Sequence, residues 1–181
     1  MKPFIGLKKI WYGNPMKEAP ASYAEVESLV EGNGYKAVEN VHDGTWSYTQ
    51  DDPSITDYIN MLTGQPYFRD ITNAGNKTIA FTMGQYEFAD LVALQGGEEV
   101  GTDGWASGTS ELIYKSVIAQ TKTGNFIVFT NAGIIAKTNA AEQNLGLGVT
   151  AVAMDNENKD AQGKKVAAEY RFKAPETVTG A

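Results

Sequence analysis

The chain has 181 residues, no cysteine and a net charge of −7 from 22 acidic and 15 basic side chains, which excludes a disulfide framework, a thiolate zinc site and a cysteine nucleophile. The basic residues form no stripe, so a surface built to grip nucleic-acid phosphates is not expected. Hydrophobic residues at 42% and charged residues at 20% fit one globular domain over residues 1–181, and the many glycines and threonines tilt it toward short strands and tight turns.

The opening "FIGLKKIWYG" reads as a strand; Lys8 and Lys9 interrupt its apolar character, so it is not expected to be a signal peptide. Residues 14–34 are ambiguous. Ser22 followed by Glu25 matches a capping box, yet Val26, Ser28 and Val30 alternate, so a long excursion holding one short element is expected. "DGTWSYTQ" is a further strand. "DDPSITDYINMLTG" has Asp52 and Pro53 in helix-start positions, Ile55, Tyr58, Ile59 and Leu62 on one helical stripe, and Gly64 as a stop. Its β-branched residues leave an irregular extended segment equally open.

From Thr78 the pattern sharpens. Ile79, Phe81 and Met83 alternate inward with Thr78, Ala80 and Thr82 outward, followed by a short helix over about 86–95 with Phe88, Leu91, Val92 and Gln95 on one stripe. Gly96 and Gly97 stop it. In "GTDGWASGT", Trp105 is either a plug over the core or a partner contact. "ELIYKSVIAQTKTGNFIVFTN" forms a hairpin around Lys122 to Asn125, and "LGLGVTAVAM" places Leu145, Leu147, Val149 and Ala151 on one face. "KVAAEYRF" alternates Val166, Ala168, Tyr170 and Phe172 against Ala167, Glu169 and Arg171, and residues 173–181 are expected to fray as a flexible tail.

Chemistry-bearing patterns are sparse. His42 is the only histidine and is read as a surface side chain. "DNENKDAQG" fails the calcium-loop pattern, with Lys159 at the fifth position and Asp160 at the sixth, and reads as a solvated turn. "GLGVTA" matches a dinucleotide fingerprint on paper but continues as a strand rather than opening a helix. No catalytic, cofactor-binding or metal-binding residue is nominated. Trp11, Trp46 and Trp105, if grouped on one exposed face, would instead suit a non-catalytic β-sandwich module for small ligands or carbohydrates.

The order of "DGTWSYTQDDPSITDYINMLTG", "KTIAFTMGQYEFADLVALQGGE", "ELIYKSVIAQTKTGNFIVFTNAGIIAK" and "NLGLGVTAVAM" resembles the tail tube (major tail) proteins of long-tailed bacteriophages, over Phe4 to about Phe172. The resemblance extends to tube proteins of contractile tails and of type VI secretion. It implies a β-sandwich or rolled, barrel-like sheet with one short flanking helix. It also implies hexameric rings that stack into a conduit for DNA, other tail proteins as partners, and a place in the virion tail after assembly in a bacterial cytoplasm. DNA would be transported cargo without sequence-specific binding, and neither a cofactor nor a membrane anchor is expected. By the same resemblance residues 14–34 would contact the next subunit or ring. Gly96, Gly97, Asp103 and Trp105 are candidate interface residues; Thr78, Thr82, Glu169 and Arg171 are candidates for a channel lining or an outer wall.

Overall fold

The computed structural model describes residues 2–109, 112–141, 143–160 and 162–176. Along the chain the elements are β1 (Lys9–Gly13), α1 (Tyr23–Glu31), β2 (Tyr35–Ala37), β3 (Asn40–Val41), β4 (Ser47–Gln50), β5 (Ser54–Ile59), β6 (Pro66–Asn73), β7 (Lys77–Gln85), α2 (Phe88–Leu94), β8 (Glu98–Val100), β9 (Gly104–Ala106), β10 (Ile113–Gln120), β11 (Phe126–Ala141), β12 (Asn144–Ala153) and β13 (Glu169–Phe172). The fold is mainly β and antiparallel, and the main sheet does not close into a barrel.

That sheet runs β2-β1-β10-β11-β12-β7-β3, with β4 also on β7 and β13 on β11. Its pivot is β11, long enough to serve two neighbourhoods. Phe126 to Phe129 pair with β13 on one side and β10 on the other, while Ala132 to Ala141 pair with β12. A register shift in β10 between Lys115 and Val117 helps the sheet to roll, as bulges bend and twist the strand that carries them. Ile10, Val117 and Phe129 thereby share one core with Ile79, Phe81, Leu147 and Val149, and α2 closes it with Leu91 and Leu94.

Burial follows this layout. β7 alternates as its sequence predicts, with Ile79, Phe81 and Met83 buried and the residues between them half-buried. Ser116 to Ala119 of β10 are buried without alternation because α1 covers their outer side. There Val26 packs with Met16, Trp11, Ile118, Phe126 and Val128. The helix is capped as the sequence suggests: Ser22 Oγ accepts from the Glu25 N–H at 3.2 Å, and Glu25 Oε2 accepts from the Ala21 N–H at 2.7 Å.

Several expectations are resolved or corrected. The short element expected within the 14–34 excursion is α1, a second helix among the described residues, and it lies on its own sheet because Val26 finds an apolar bed there. Of the helix and the extended segment left open for "DDPSITDYINMLTG", the extended one forms, with residues 54–59 as strand β5: its register with β6 satisfies the backbone of a β-branched sequence. On α2 the buried side chains are Asp90, Leu91 and Leu94, whereas Phe88 is exposed, so the stripe is turned toward the capping side. β13 is shorter than the alternation from Val166 suggests, since Thr130 takes up the carbonyls of Ala167 and Ala168 before the regular ladder starts. Leu145 is exposed near the start of β12 while Leu147, Val149 and Ala151 are buried. The Asp155–Gly163 turn is not wholly solvated: Asn156 is buried and donates to the Met16 carbonyl at 2.9 Å, tying the turn to the excursion. Of the expected tail, Ala174 is anchored through its N–H to Asn125 Oδ1 at 2.9 Å, and residues 177–181 lie outside the described residues.

Candidate assembly surface

β5 and β6 form a two-stranded sheet of their own, pairing with each other and with no other described strand. Every residue of both strands is exposed. Cross-strand partners share a face, so Ile55 with Ile71 and the Asp57–Arg69 ion pair occupy one side, while Thr56 with Asp70 and Tyr58 with Phe68 occupy the other. The Tyr58 and Phe68 rings lie 5.6 Å apart. At the tip, Met61 is 98% and Leu62 95% exposed, in a turn closed by Asn60, Gln65 and a left-handed Gly64. Ile59 and Tyr67 add further exposed apolar surface. An isolated hairpin is marginally stable in water, and contiguous exposed apolar surface marks an interaction site.

The root of this arm is firm. The Asp51 N–H donates to the Asn76 carbonyl at 2.9 Å, and Gly75, at φ +78, lies so close that a Cβ there would come within 2.2 Å of the Asp51 carbonyl oxygen. Asp57 is held below its ordinary value by the Arg69 guanidinium, so the arm's central ion pair stays charged.

A second exposed apolar region lies on the body, beside α2 and the turn into β9. A groove of about 540 Å³ is lined by Leu94, Trp105, Leu112, Ile134, Ile135 and Lys137, among others. Leu112 and Ile135 are 59% and 62% exposed. Ile135 and Lys137 also line a shallower depression of about 280 Å³ on the outer face of β7, β11 and β12, so the two form one trough.

The sequence-nominated interface residues fall into two groups. Gly96, Gly97 and Trp105 are brought together inside the chain: Trp105 Nε1 donates to the Gly96 carbonyl at 3.0 Å, and its ring is half-buried against the core. Both glycines have positive φ, at +87 and +94, as a glycine stop requires. At Gly97 a Cβ would also meet the Ala106 carbonyl oxygen at 2.3 Å, whereas Gly96 has room. Asp103 is exposed in the β8–β9 turn.

The wall candidates also separate. Thr78 and Thr82 lie on the outer side of β7, and Thr82 lines the shallow depression. Glu169 is not on an open polar face. Its side chain is 5% exposed, 2.6 Å from both Lys77 Nζ and Arg171 Nε, with the Tyr48 hydroxyl at 3.2 Å. Burial alone would raise the Glu169 carboxyl, but Lys77 and Arg171 outweigh it and hold the group below its ordinary value. Arg171 extends over the Tyr48 ring, 5.0 Å from its centre. The cluster fastens β13 to β4 and the start of β7 across the open seam of the sheet.

A second buried carboxylate fixes α2. Asp90 accepts from the Tyr12 hydroxyl and from Lys36 Nζ at 2.8 Å, and completes a capping box with Glu87. Burial works against its charge, yet the hydrogen bonds from Lys36 and Tyr12 keep it below its ordinary value. Burial first, and the Asp90 contact second, push the Tyr12 hydroxyl well upward.

The arm is the feature that sequence reading missed. Its signal was present in the Ile, Thr and Tyr content of "SITDYI" and in "PYFRDITN", either side of a turn sequence. Among the described residues no cluster of three or more acidic or histidine side chains could hold a metal ion, and no helix is long and apolar enough to cross a membrane. The three tryptophans share no exposed face: Trp11 is buried under α1, and Trp46 and Trp105 pack on the main core. No family model matches the chain, and no curated protein matches it.

Proposed function

We propose that the chain is a structural self-assembly protein, the tail tube subunit of a phage or prophage, whose copies form hexameric rings that stack into a conduit for DNA. The observation that carries this reading is the apolar arm, Ser54 to Asn73, exposed on both faces and held off the body by its root. A lone chain leaves that surface in water; an assembly covers it. The rolled sheet also has unpaired edges, which ring neighbours would shield, and an interface between two different patches propagates from copy to copy.

The charge supports the same reading. A net charge of −7 disfavours binding to phosphates, so DNA would pass as cargo without being gripped or read. Other tail proteins would contact the tube at its ends, in a virion tail assembled in the host cytoplasm. The ligand-binding alternative has no grouped tryptophans to support it.

The test is negative-stain microscopy of the purified protein over a concentration series, with light scattering of the same samples. Rings or tubes are expected to appear as concentration rises. A monomer at every concentration and salt level would overturn the reading.

A further inference from the structure

We infer that the arm of one copy docks into the trough of a second copy, with the Met61–Leu62 tip seated in the groove between α2 and β11. This rests on the self-assembly reading and specifies its contact. The arm does not fold back to cover itself: the Asp51–Asn76 hydrogen bond and the close approach at Gly75 hold its root, and every residue of β5 and β6 is exposed. Its occupant surface therefore belongs to another molecule.

Three observations favour the trough. First, chemistry matches: the tip offers two flexible apolar side chains, almost fully exposed, and the groove offers the exposed side chains of Leu112 and Ile135 and the half-buried Trp105 ring, over a floor of the buried Leu94 and Ile134. Second, charge matches. The Asp57–Arg69 pair cancels on the arm and leaves Asp70, while among the described residues Lys137 is the charged one lining both parts of the trough. Among the described residues neither Asp70 nor Lys137 has an ion-pair partner in its own chain. Third, size matches: the arm runs from Ser54 to Asn73 and offers both faces, close to the roughly 20 residues a side of a standard stable interface.

The arm and the trough are different surfaces, so the contact is heterologous. Each docked copy still presents one free arm or one free trough, and growth continues until a ring closes.

The chain has no cysteine, which permits a clean crosslinking test. Leu62→Cys and Ile135→Cys are made in separate chains, mixed and oxidised, with Leu62→Cys plus Lys164→Cys as the control pair. The expected result is a disulfide-linked heterodimer from the first pair at several times the control yield. In parallel, Leu62→Asp and Ile135→Asp, both at exposed positions, should melt like the parent but each require about tenfold or more protein to associate. Mixed together they should form pairs through their one intact arm and one intact trough, and no larger species.

If the parent assembles while Ile135→Asp assembles equally well and the first pair crosslinks no better than the control, the docking site is overturned and self-assembly stands. A parent that never associates overturns both.

Discussion

β7 and the β5–β6 arm are built from similar material and end in opposite environments. "KTIAFTMGQ" alternates and is buried on alternate residues because β12 and the β3–β4 segment flank it and α2 closes the core that its apolar face enters. "SITDYI" and "PYFRDITN" carry as many β-branched and aromatic residues, yet no second layer covers either face. Strand propensity sets local conformation in both, but burial is decided by what lies above the strand. In β7 that is the chain itself; for the arm it is the second copy proposed here.

Deleting side chains of similar size from each region should separate the two most strongly. Phe129→Ala, in the core of the rolled sheet and fully buried, should lower unfolding free energy by about 3 to 5 kcal/mol. Phe68→Ala on the arm should change monomer stability by less than about 0.5 kcal/mol, while weakening association. Urea denaturation of both variants at low protein concentration checks this, and equal losses would mean that the arm is part of the folding unit.

Next in size is the glycine stop. Gly97→Val meets a positive φ and the Ala106 carbonyl, and should cost about 2 to 4 kcal/mol or prevent folding. Gly96→Val meets strain but little crowding, at about 1 to 2 kcal/mol. Thermal melts that rank the two in reverse would show the turn to be misplaced.

Glu169→Gln removes the charge that Lys77 and Arg171 enclose and should cost about 1 to 3 kcal/mol. The same cluster sets an acid dependence. Glu169 and Asp90 have folded values below their ordinary 4.5 and 3.8, so their contribution is present above those values and lost as pH falls through the depressed ones. Unfolding free energy should therefore decline below about pH 4.5, and Glu169→Gln should flatten the decline. A slope equal to that of the parent would remove Glu169 from the account.

The core of the fold was legible because its signals are local. The β10–β11 hairpin, the alternation of β7, the glycine stop after α2 and the Ser22 cap each follow from a few adjacent residues. The arm was obscured because Ile55, Tyr58, Ile59 and Leu62 satisfy helical spacing by coincidence, and the pairing with β6 that settles the matter is visible only in three dimensions. Glu169 was misread for a related reason. Alternation placed it on a polar face, as it should, but that face meets Lys77 and Tyr48 across the seam rather than water. Trp105 shows the converse: a lone aromatic among glycines turned out to brace the turn that those glycines make.

Sedimentation velocity over a concentration series, on the parent and on a variant in which residues 54–73 are replaced by a short Gly-Ser turn, tests whether the arm drives assembly. The account predicts that the variant keeps the melting temperature of the parent monomer and stays monomeric where the parent forms larger species. A variant that associates like the parent would contradict it, because the surface driving assembly would then lie elsewhere on the rolled sheet.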